Sequence, residues 1–177
     1  MVKKLLKLFA YILFFIFALI VFVPKSSVYY LLEKNLKKFD VVVSKESLSE
    51  SLFSLEADNL EVSVKGIEGG VVETANITFL LFYNNVSFRN IKLSSLVEAH
   101  LPSEIDRIDV TYTLFHPLVL VLHAKGQFGE INGEFNILKR DLNVTLRPTN
   151  TMLKKYKLSM KIFQKYKDGA YIYAKSF

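Results

Sequence analysis

The feature that most constrains the fold is an uncharged apolar run near the start of the chain. The stretch from Lys3 to Val23 reads KKLLKLFAYILFFIFALIVFV and holds no charge after Lys7. At about 1.5 Å of rise per residue, a helix over this stretch crosses a hydrocarbon core of roughly 30 Å. Lysines precede the run, so the positive-inside rule puts the N-terminus in the cytoplasm. We therefore predict a cytoplasmic start and membrane anchor over residues 1–23, with everything from Pro24 onward in the periplasm of a bacterial cell.

A cleaved signal peptide is the alternative explanation of this run. Signal peptides have a shorter apolar core followed by a small-x-small cleavage site. Phe22, Val23 and Pro24 offer no small residue at the junction, and only the Ser26-Ser27 pair lies beyond them. The length of the run and its junction favour an uncleaved anchor in the inner membrane. The side chains predicted to face lipid are Leu5, Leu6, Leu8, Phe9, Phe14, Phe15, Phe17, Leu19 and Phe22.

Length and composition restrict the rest of the chain to one domain with limited chemistry. About 150 residues follow the anchor, which is one domain's worth. The 177 residues include no Cys, which excludes disulfides, thiolate metal sites and a cysteine nucleophile. We predict a juxtamembrane helix within residues 24–39 and a periplasmic β-rich domain over residues 40–177.

The first segment after the anchor has a helical pattern. Val28, Leu32 and Leu36 recur every four positions, and lysines occupy other sides of the same helix. The Ser26-Ser27 pair can cap its first turn. We predict an amphipathic helix over residues 28–39, which either lies against the membrane or covers the sheet that follows.

The apolar period then changes from four to two, which indicates strands. Residues 41–43 are three valines and predict a short strand, and the Asp58-Asn59 pair is predicted to turn between two strands. Residues 75–83 predict a long strand that the Asn84-Asn85 pair turns back, because asparagine tolerates positive φ. A phase change predicts a bulge near Asn90.

The strongest β pattern covers residues 105–147, where apolar and polar residues alternate through four consecutive antiparallel strands. A second amphipathic helix is predicted over residues 152–165, and a last strand over residues 170–174 after the turn Asp168-Gly169. The predicted fold is mainly β, of the α+β class. It has an N-terminal transmembrane helix and a curved antiparallel sheet with two amphipathic helices.

The net charge of +6 is unevenly distributed. Residues 24–138 hold 10 basic and 15 acidic residues, whereas residues 139–177 hold 10 basic and 2 acidic ones. A lysine-rich helix face is either simply solvated or contacts anionic headgroups or an acidic partner. The lysines concerned are Lys154, Lys155, Lys157, Lys161 and Lys165.

No residue pattern predicts catalysis, a metal or a cofactor. The three histidines, His100, His116 and His123, have no second histidine or carboxylate at a metal-ligand spacing, and we interpret them as structural. Basic residues cluster only near the C-terminus and without a recognition module, so nucleic-acid binding is not predicted. The chain is predicted not to be an enzyme.

Two further patterns have structural explanations. Three glycines between residues 126 and 133 are close enough to suggest a phosphate loop, but they precede or interrupt a strand rather than open a helix. We expect a bulge or a close backbone approach there. Asn76, Asn85 and Asn143 each begin an Asn-x-Ser/Thr triplet. We favour chance, because the Asn143 triplet lies within a predicted strand and glycan acceptors need exposure.

Two stretches resemble known families. The order of anchor, proline, amphipathic helix, short valine strand and hairpins over Pro24–Lys65 resembles the start of AsmA-like proteins and of the type II secretion protein N family. His116-Pro117 followed by AKGQFGEINGEFNI, LNVTLRPT, a helix and DGAYIYA resembles the C-terminal half of protein N. The resemblance implies long antiparallel sheets curved into a groove, with a role in secretion machinery or in lipid handling, and no catalytic motif.

Two functions follow as expectations. The first is a structural or assembly component of an envelope machine such as a secretion system, which binds protein partners by strand addition and through the lysine helix. The second is a lipid-binding or lipid-transfer module whose sheet holds an acyl chain. Coverage of the sheet by the two helices decides between them. The predicted groove residues are Ile77, Phe79, Leu81, Ile131, Phe135, Ile137, Leu142, Val144 and Leu146.

Overall fold

The computed structural model describes residues 2–166 and 168–177. Its first element is the helix α1, Val2–Phe22, in which no residue is buried. Among the described residues, α1 is the one helix long and apolar enough to cross a membrane, a property that a signal sequence near the N-terminus shares. The predicted apolar helix is therefore confirmed. Its nine predicted lipid-facing residues are at least 49% exposed.

The rest of the chain is a single antiparallel sheet of eleven strands with a few short helices. After α2 (Lys25–Leu36) and a 3₁₀ turn (Lys37–Phe39), the first strands are β1 (Val41–Ser44), β2 (Ser47–Glu50), β3 (Ser54–Val64), β4 (Ile67–Phe79) and β5 (Tyr83–Leu93). Next come α3 (Ser95–Glu98), β6 (Glu104–Thr113), β7 (Val119–Gly126), β8 (Gly129–Asn136) and β9 (Asp141–Pro148). The chain ends with α4 (Asn150–Lys155), α5 (Lys157–Met160), β10 (Gln164–Lys165) and β11 (Tyr171–Ser176).

Strands β3 to β9 form a meander in which each strand pairs with the next along the chain. β1 and β2 both pair with β3 and together make one edge, while β11 pairs with β9 and carries β10 at the other edge. We call the end formed by residues 51–53, 80–82, 114–118, 137–140 and Phe177 the turn end. The opposite end, which carries α3, α4 and α5, is the helix end.

The strand register separates apolar from polar side chains. Residues directly opposite each other in a sheet point to the same face, so each cross-strand row belongs to one face. One row consists of Leu55, Ile77, Val86, Val110, Leu122, Gly133, Val144 and Tyr173. The adjacent row on the other face consists of Glu56, Asn76, Ser87, Asp109, His123, Asn132, Thr145 and Ile172. The sheet thus has an apolar face and a polar face.

Helices cover the apolar face at its two sides. Tyr29 of α2 packs on Leu55 and Ala57 of β3 in one core cluster. Met152 of α4 and Met160 of α5 pack with Leu146 of β9 in a second cluster. Burial raises the pKa of the Tyr29 phenol well above its usual value, and the carboxylates of nearby acidic residues raise it further. These two clusters anchor the helices to the sheet.

The structure corrects three predictions about helices. The first helix begins at Lys25, and no serine side chain caps it; Glu50 accepts a hydrogen bond from the Ser26 N–H at 2.8 Å instead. Hydrogen bonds from Ser26 lower the pKa of Glu50. Its buried apolar side chain is Tyr29, whereas Leu32 and Leu36 are exposed, so the predicted stripe does not cover the sheet.

The second predicted helix, over residues 152–165, is wrong as a continuous element. α4 ends at Lys155 and α5 occupies Lys157–Met160, with a non-helical Tyr156 between them (φ −110°, ψ 40°). Gln164 and Lys165 pair with β11 as a strand. The predicted C-terminal strand is confirmed as β11.

Turn positions were predicted well in one half of the sheet and poorly in the other. The four strands predicted over residues 105–147 are β6 to β9, and Asn90 has φ +51° where β4 and β5 skip a pair. Asp58-Asn59 does not turn, because β3 continues through it. The chain turns at residues 80–82 rather than at Asn84-Asn85, which lies within β5.

Leu55 provides a test of the first core cluster. Its side chain is completely buried beneath Tyr29. We expect Leu55→Ala to lower the free energy of unfolding by about 2–5 kcal/mol, because it removes buried contacts and leaves a cavity. Denaturant unfolding of the full chain in detergent, followed by circular dichroism, measures the change. The control is Leu158→Ala in α5, which is 71% exposed and should change it by no more than about 0.5 kcal/mol; equal losses would contradict this packing.

Gly129 tests the prediction of a close backbone approach. It has φ +116°, and a Cβ added there would overlap the carbonyl oxygen of Arg147. We expect Gly129→Ala to destabilise the chain by more than about 1 kcal/mol. Gly133→Ala is the matched control, since its Cβ would make ordinary contacts at 3.4 Å. A tolerated alanine at position 129, measured by the same unfolding experiment, would contradict the close approach.

Candidate functional site

The apolar face has a part that no helix covers. Neither core cluster includes Val86, Val110 or Leu122, which stand in the middle of their cross-strand row. The next row toward the turn end adds further large side chains. All of them are half-buried. We call these residues the open strip: Val86, Val110, Tyr112, Leu120, Leu122, Phe135, Leu142 and Val144.

An apolar cleft of about 360 Å³ lies on the same face toward the helix end. Val72 and Ile91 form its floor from the first core cluster, and Phe88 and Ile108 line it beside the open strip. Val97 of α3 borders it. The volume is within the range of small-molecule sites, roughly 300–1,000 Å³. The cleft and the open strip together form an apolar surface along the middle of the sheet.

The predicted groove residues fall on this face with two exceptions. Ile77, Phe79, Ile131, Phe135, Leu142, Val144 and Leu146 all lie on the apolar face by strand register. Leu81 and Ile137 lie in turns at the turn end instead, and both are exposed. Leu146 and Ile131 are covered by the second core cluster. Alternation therefore located the face but not the limits of its uncovered part.

The turn end carries an apolar surface that neither strand alternation nor helical periodicity predicts. The four turns contain ten Leu, Ile or Phe residues among fifteen and no acidic residue. Phe115, Leu138 and Phe177 are 80%, 76% and 64% exposed. The available signal was the absence of the usual Gly, Asn and Asp from residues 80–82, where turn chemistry normally requires polar residues.

Helix α1 lies beside this turn end. The rings of Phe17 and Phe53 approach to 6.1 Å between centroids. A predominantly apolar cavity of about 470 Å³ separates α1 from residues 80–83, and Leu13, Ile16 and Ile20 line its helical side. The membrane-anchor candidate and the β4–β5 turn are thus neighbours.

A buried lysine marks the junction between α1 and the sheet. Lys25 is 3% exposed, and its Nζ lies 3.5 Å from the carbonyl oxygens of Val21 and Val23. The last carbonyls of a helix lack intrahelical partners and carry partial negative charge, so a cation there is favourable. Together with the Ser26–Glu50 hydrogen bond, Lys25 fixes where α1 ends relative to the turn end.

The five predicted lysines lie at the helix end, and all of them are exposed. They belong to α4, α5, β10 and the residue after α5. The eight residues of β9 separate the turn end from the start of α4, and at about 3.3 Å per residue this is roughly 26 Å. The lysine cluster and the apolar turns therefore occupy opposite ends of the sheet.

The histidines are far apart in the structure. His100 lies at the helix end, His116 at the turn end, and His123 on the polar face, where its Nδ1 is 2.6 Å from Oδ1 of Asn132. Within residues 2–166 and 168–177 no group of three His, Cys, Asp or Glu residues is placed to hold a metal ion. The polar face around His123 is a solvent-facing ladder that includes the ion pair of Arg107 and Asp109.

The three Asn-x-Ser/Thr triplets lie in strands. Asn76 and Asn85 are half-buried in β4 and β5, and the Asn85 Nδ2 donates to Oγ1 of Thr111 at 3.2 Å. Asn143 in β9 is exposed on the polar face. Asn76 and Asn85 are therefore structural residues of the sheet. Of the three asparagines, Asn143 has the exposure that a glycan acceptor needs.

Comparison with known proteins returns no relative. No family model matches the chain, and no curated protein and no solved structure matches it.

Proposed function

We propose that the chain is a non-enzymatic, single-pass inner-membrane protein whose β-rich domain, on the periplasmic side, binds the acyl chains of lipids along the open strip and the adjoining cleft. The observation that supports this proposal is the incomplete coverage of the apolar face. An apolar surface of this extent is unfavourable in water and is typical of a site for a ligand or partner. The AsmA-like resemblance of residues 24–65 is consistent with the proposal.

The site chemistry supports a lipid over a polar ligand. The cleft exposes no polar lining, and the side chains of the open strip are aliphatic or aromatic apart from the Tyr112 hydroxyl. Burying each methylene of an acyl chain against such a surface contributes about 0.8 kcal/mol. We propose that the sheet curves around the bound chain, with α2 on one side and α4–α5 on the other.

A second candidate function is an assembly component of an envelope machine. The observation that favours it is an unpaired strand edge: among the described residues, no strand pairs with the outer side of Tyr173–Ser176 in β11. Such an edge can accept a strand from a protein partner. The exposed lysine cluster would add attraction to an acidic partner. Because it lies at the helix end, we do not assign it to headgroups beside α1.

The topology can be tested with reporter fusions. We expect a periplasm-active reporter fused after Phe177 to be active and a cytoplasm-active reporter at the same position to be inactive. The reason is that the lysines before the apolar run favour a cytoplasmic N-terminus. Paired fusions of a periplasm-active and a cytoplasm-active reporter measure this directly. Activity of the cytoplasmic reporter alone would contradict the proposed orientation.

Lipid binding can be tested by mass spectrometry of lipids retained by the full chain after purification in detergent. We expect Leu120→Asp to lose the lipid bound to the domain, because it places a charge on the open strip. The matched control is Val121→Asp, which adds the same charge to the same strand but on the polar face, at a half-buried position like that of Leu120.

The control also accounts for lipids that surround α1, since both variants retain that helix. Circular dichroism of both variants establishes that each keeps its β structure. Equal lipid retention by wild type, Leu120→Asp and Val121→Asp would contradict binding on the apolar face. In that case crosslinking in intact cells, with identification of captured proteins, becomes the test of the second candidate function.

A further inference from the structure

The turns at the two ends of the sheet differ in chemistry. Turns normally use Gly, Pro, Asn, Asp and Ser, because these residues satisfy the backbone or adopt positive φ. Residues 80–82 are Leu-Leu-Phe, and the other turns at this end expose Phe115 and Leu138 almost fully. At the helix end, the β3–β4 turn is Lys65-Gly66, and the exposed leucines Leu96 and Leu158 lie in the short helices α3 and α5 rather than in turns between strands. The apolar side chains that extend from these three neighbouring turns are not buried within the domain. Their exposure therefore indicates contact with an apolar partner outside the domain.

The position of α1 indicates which partner the apolar turns contact. The β4–β5 turn faces the last part of α1, from Leu13 to Ile20, across an apolar cavity. Val23 ends the apolar run, and Leu13 lies ten residues before it, or about 15 Å along the helix axis. If α1 crosses a hydrocarbon core of roughly 30 Å, a turn beside residues 13–20 lies within the outer half of that core.

The charges near the turn end fit a membrane surface. The four turns contain two charged residues, Lys139 and Arg140, and both are basic. Lys175 lies close by, with its Nζ 4.8 Å from the centre of the Phe177 ring. Tyr83 and Tyr112 stand at the strand ends just behind the turns. Basic and tyrosine side chains around an apolar patch are the usual composition of the interface between hydrocarbon and headgroups.

We propose that the turn end of the sheet is inserted into the outer leaflet of the same membrane that α1 crosses. The apolar side chains of the turns at residues 80–82, 114–118 and 137–140 contact acyl chains, and Lys139 and Arg140 reach the headgroups. The strands then rise away from the membrane and carry the helix end and its lysines outward. The inference uses the anchor of the proposed function but requires no lipid on the sheet face.

A fluorescence experiment tests the insertion directly, because the chain contains no Trp and a single introduced Trp is the only indole emitter. The full chain is reconstituted into bilayer nanodiscs of phosphatidylcholine and phosphatidylglycerol, with or without bromine on the acyl chains. We expect Phe115→Trp and Leu138→Trp to give blue-shifted emission and to lose most of it to brominated lipid.

Two exposed leucines at the helix end supply matched controls. Leu96→Trp and Leu158→Trp replace side chains that are 65% and 71% exposed, and we expect their emission to stay red-shifted and unquenched. Phe14→Trp reports on α1 itself and should be quenched. Circular dichroism verifies that every variant keeps the β structure of the wild type.

The outcomes separate the two proposals. Quenching at position 14 with no quenching at positions 115 and 138 overturns the insertion of the turns and leaves the anchor in place. Quenching at positions 96 and 158 to the same degree as at 115 and 138 also overturns it, because the domain would then lie flat on the membrane. Lipid retention by the purified protein tests only the proposed binding on the sheet face. Quenching at positions 115 and 138 tests only the insertion of the turns, because the quenching lipids are those of the surrounding leaflet.

Discussion

The stability of a single-layer sheet with one apolar face depends on the groups that cover that face. Strand alternation places Leu, Ile, Val and Phe on one side of β3 to β9 and charged or amide residues on the other. In a sandwich a second sheet would bury the apolar side, but within residues 2–166 and 168–177 that side meets α2 and the three short helices α3, α4 and α5. The area that these helices leave uncovered is the open strip and the adjoining cleft.

Strict alternation explains why the second half of the sheet was predictable. From residue 105 to residue 147 nearly every second residue is apolar, and a shift of one residue would expose all of them, so the face and the register are specified together. The same principle placed seven of the nine proposed groove residues on one face. Alternation does not predict which part of the apolar face is covered, because the helices that cover it are distant in sequence from these strands.

The missed turns have a different cause. Asn59 adopts φ +57°, which suits a turn, yet β3 pairs on both sides of it with β4, so the ladder continues past a single distorted residue. The Asn84-Asn85 pair also suits a turn, but Asn85 instead donates across the strands to Thr111. The actual turn at residues 80–82 has no local signal, because its side chains suit an apolar environment rather than a tight turn in water.

The break in the C-terminal helix lies in a lysine-rich segment whose apolar side chains pack on the sheet. Met152, Tyr156 and Met160 are spaced for one continuous helix, but Lys157 and Lys161 form a like-charge pair at i, i+4, which disfavours helix by a few tenths of a kcal/mol. Kinking at Tyr156 still lets Met152 and Met160 reach the same core cluster with Leu146.

The open strip and the apolar turns are adjacent, and this adjacency links the two proposals. The strip begins in the row that contains Tyr112, Leu120, Phe135 and Leu142, directly behind the turn end. An acyl chain that left a leaflet through water would expose its methylenes at a cost of about 0.8 kcal/mol each. With the turns inside the leaflet, a chain would move from lipid to the apolar face without that exposure. Under these two proposals the uncovered surface would need no further helix, because it would open where acyl chains are abundant.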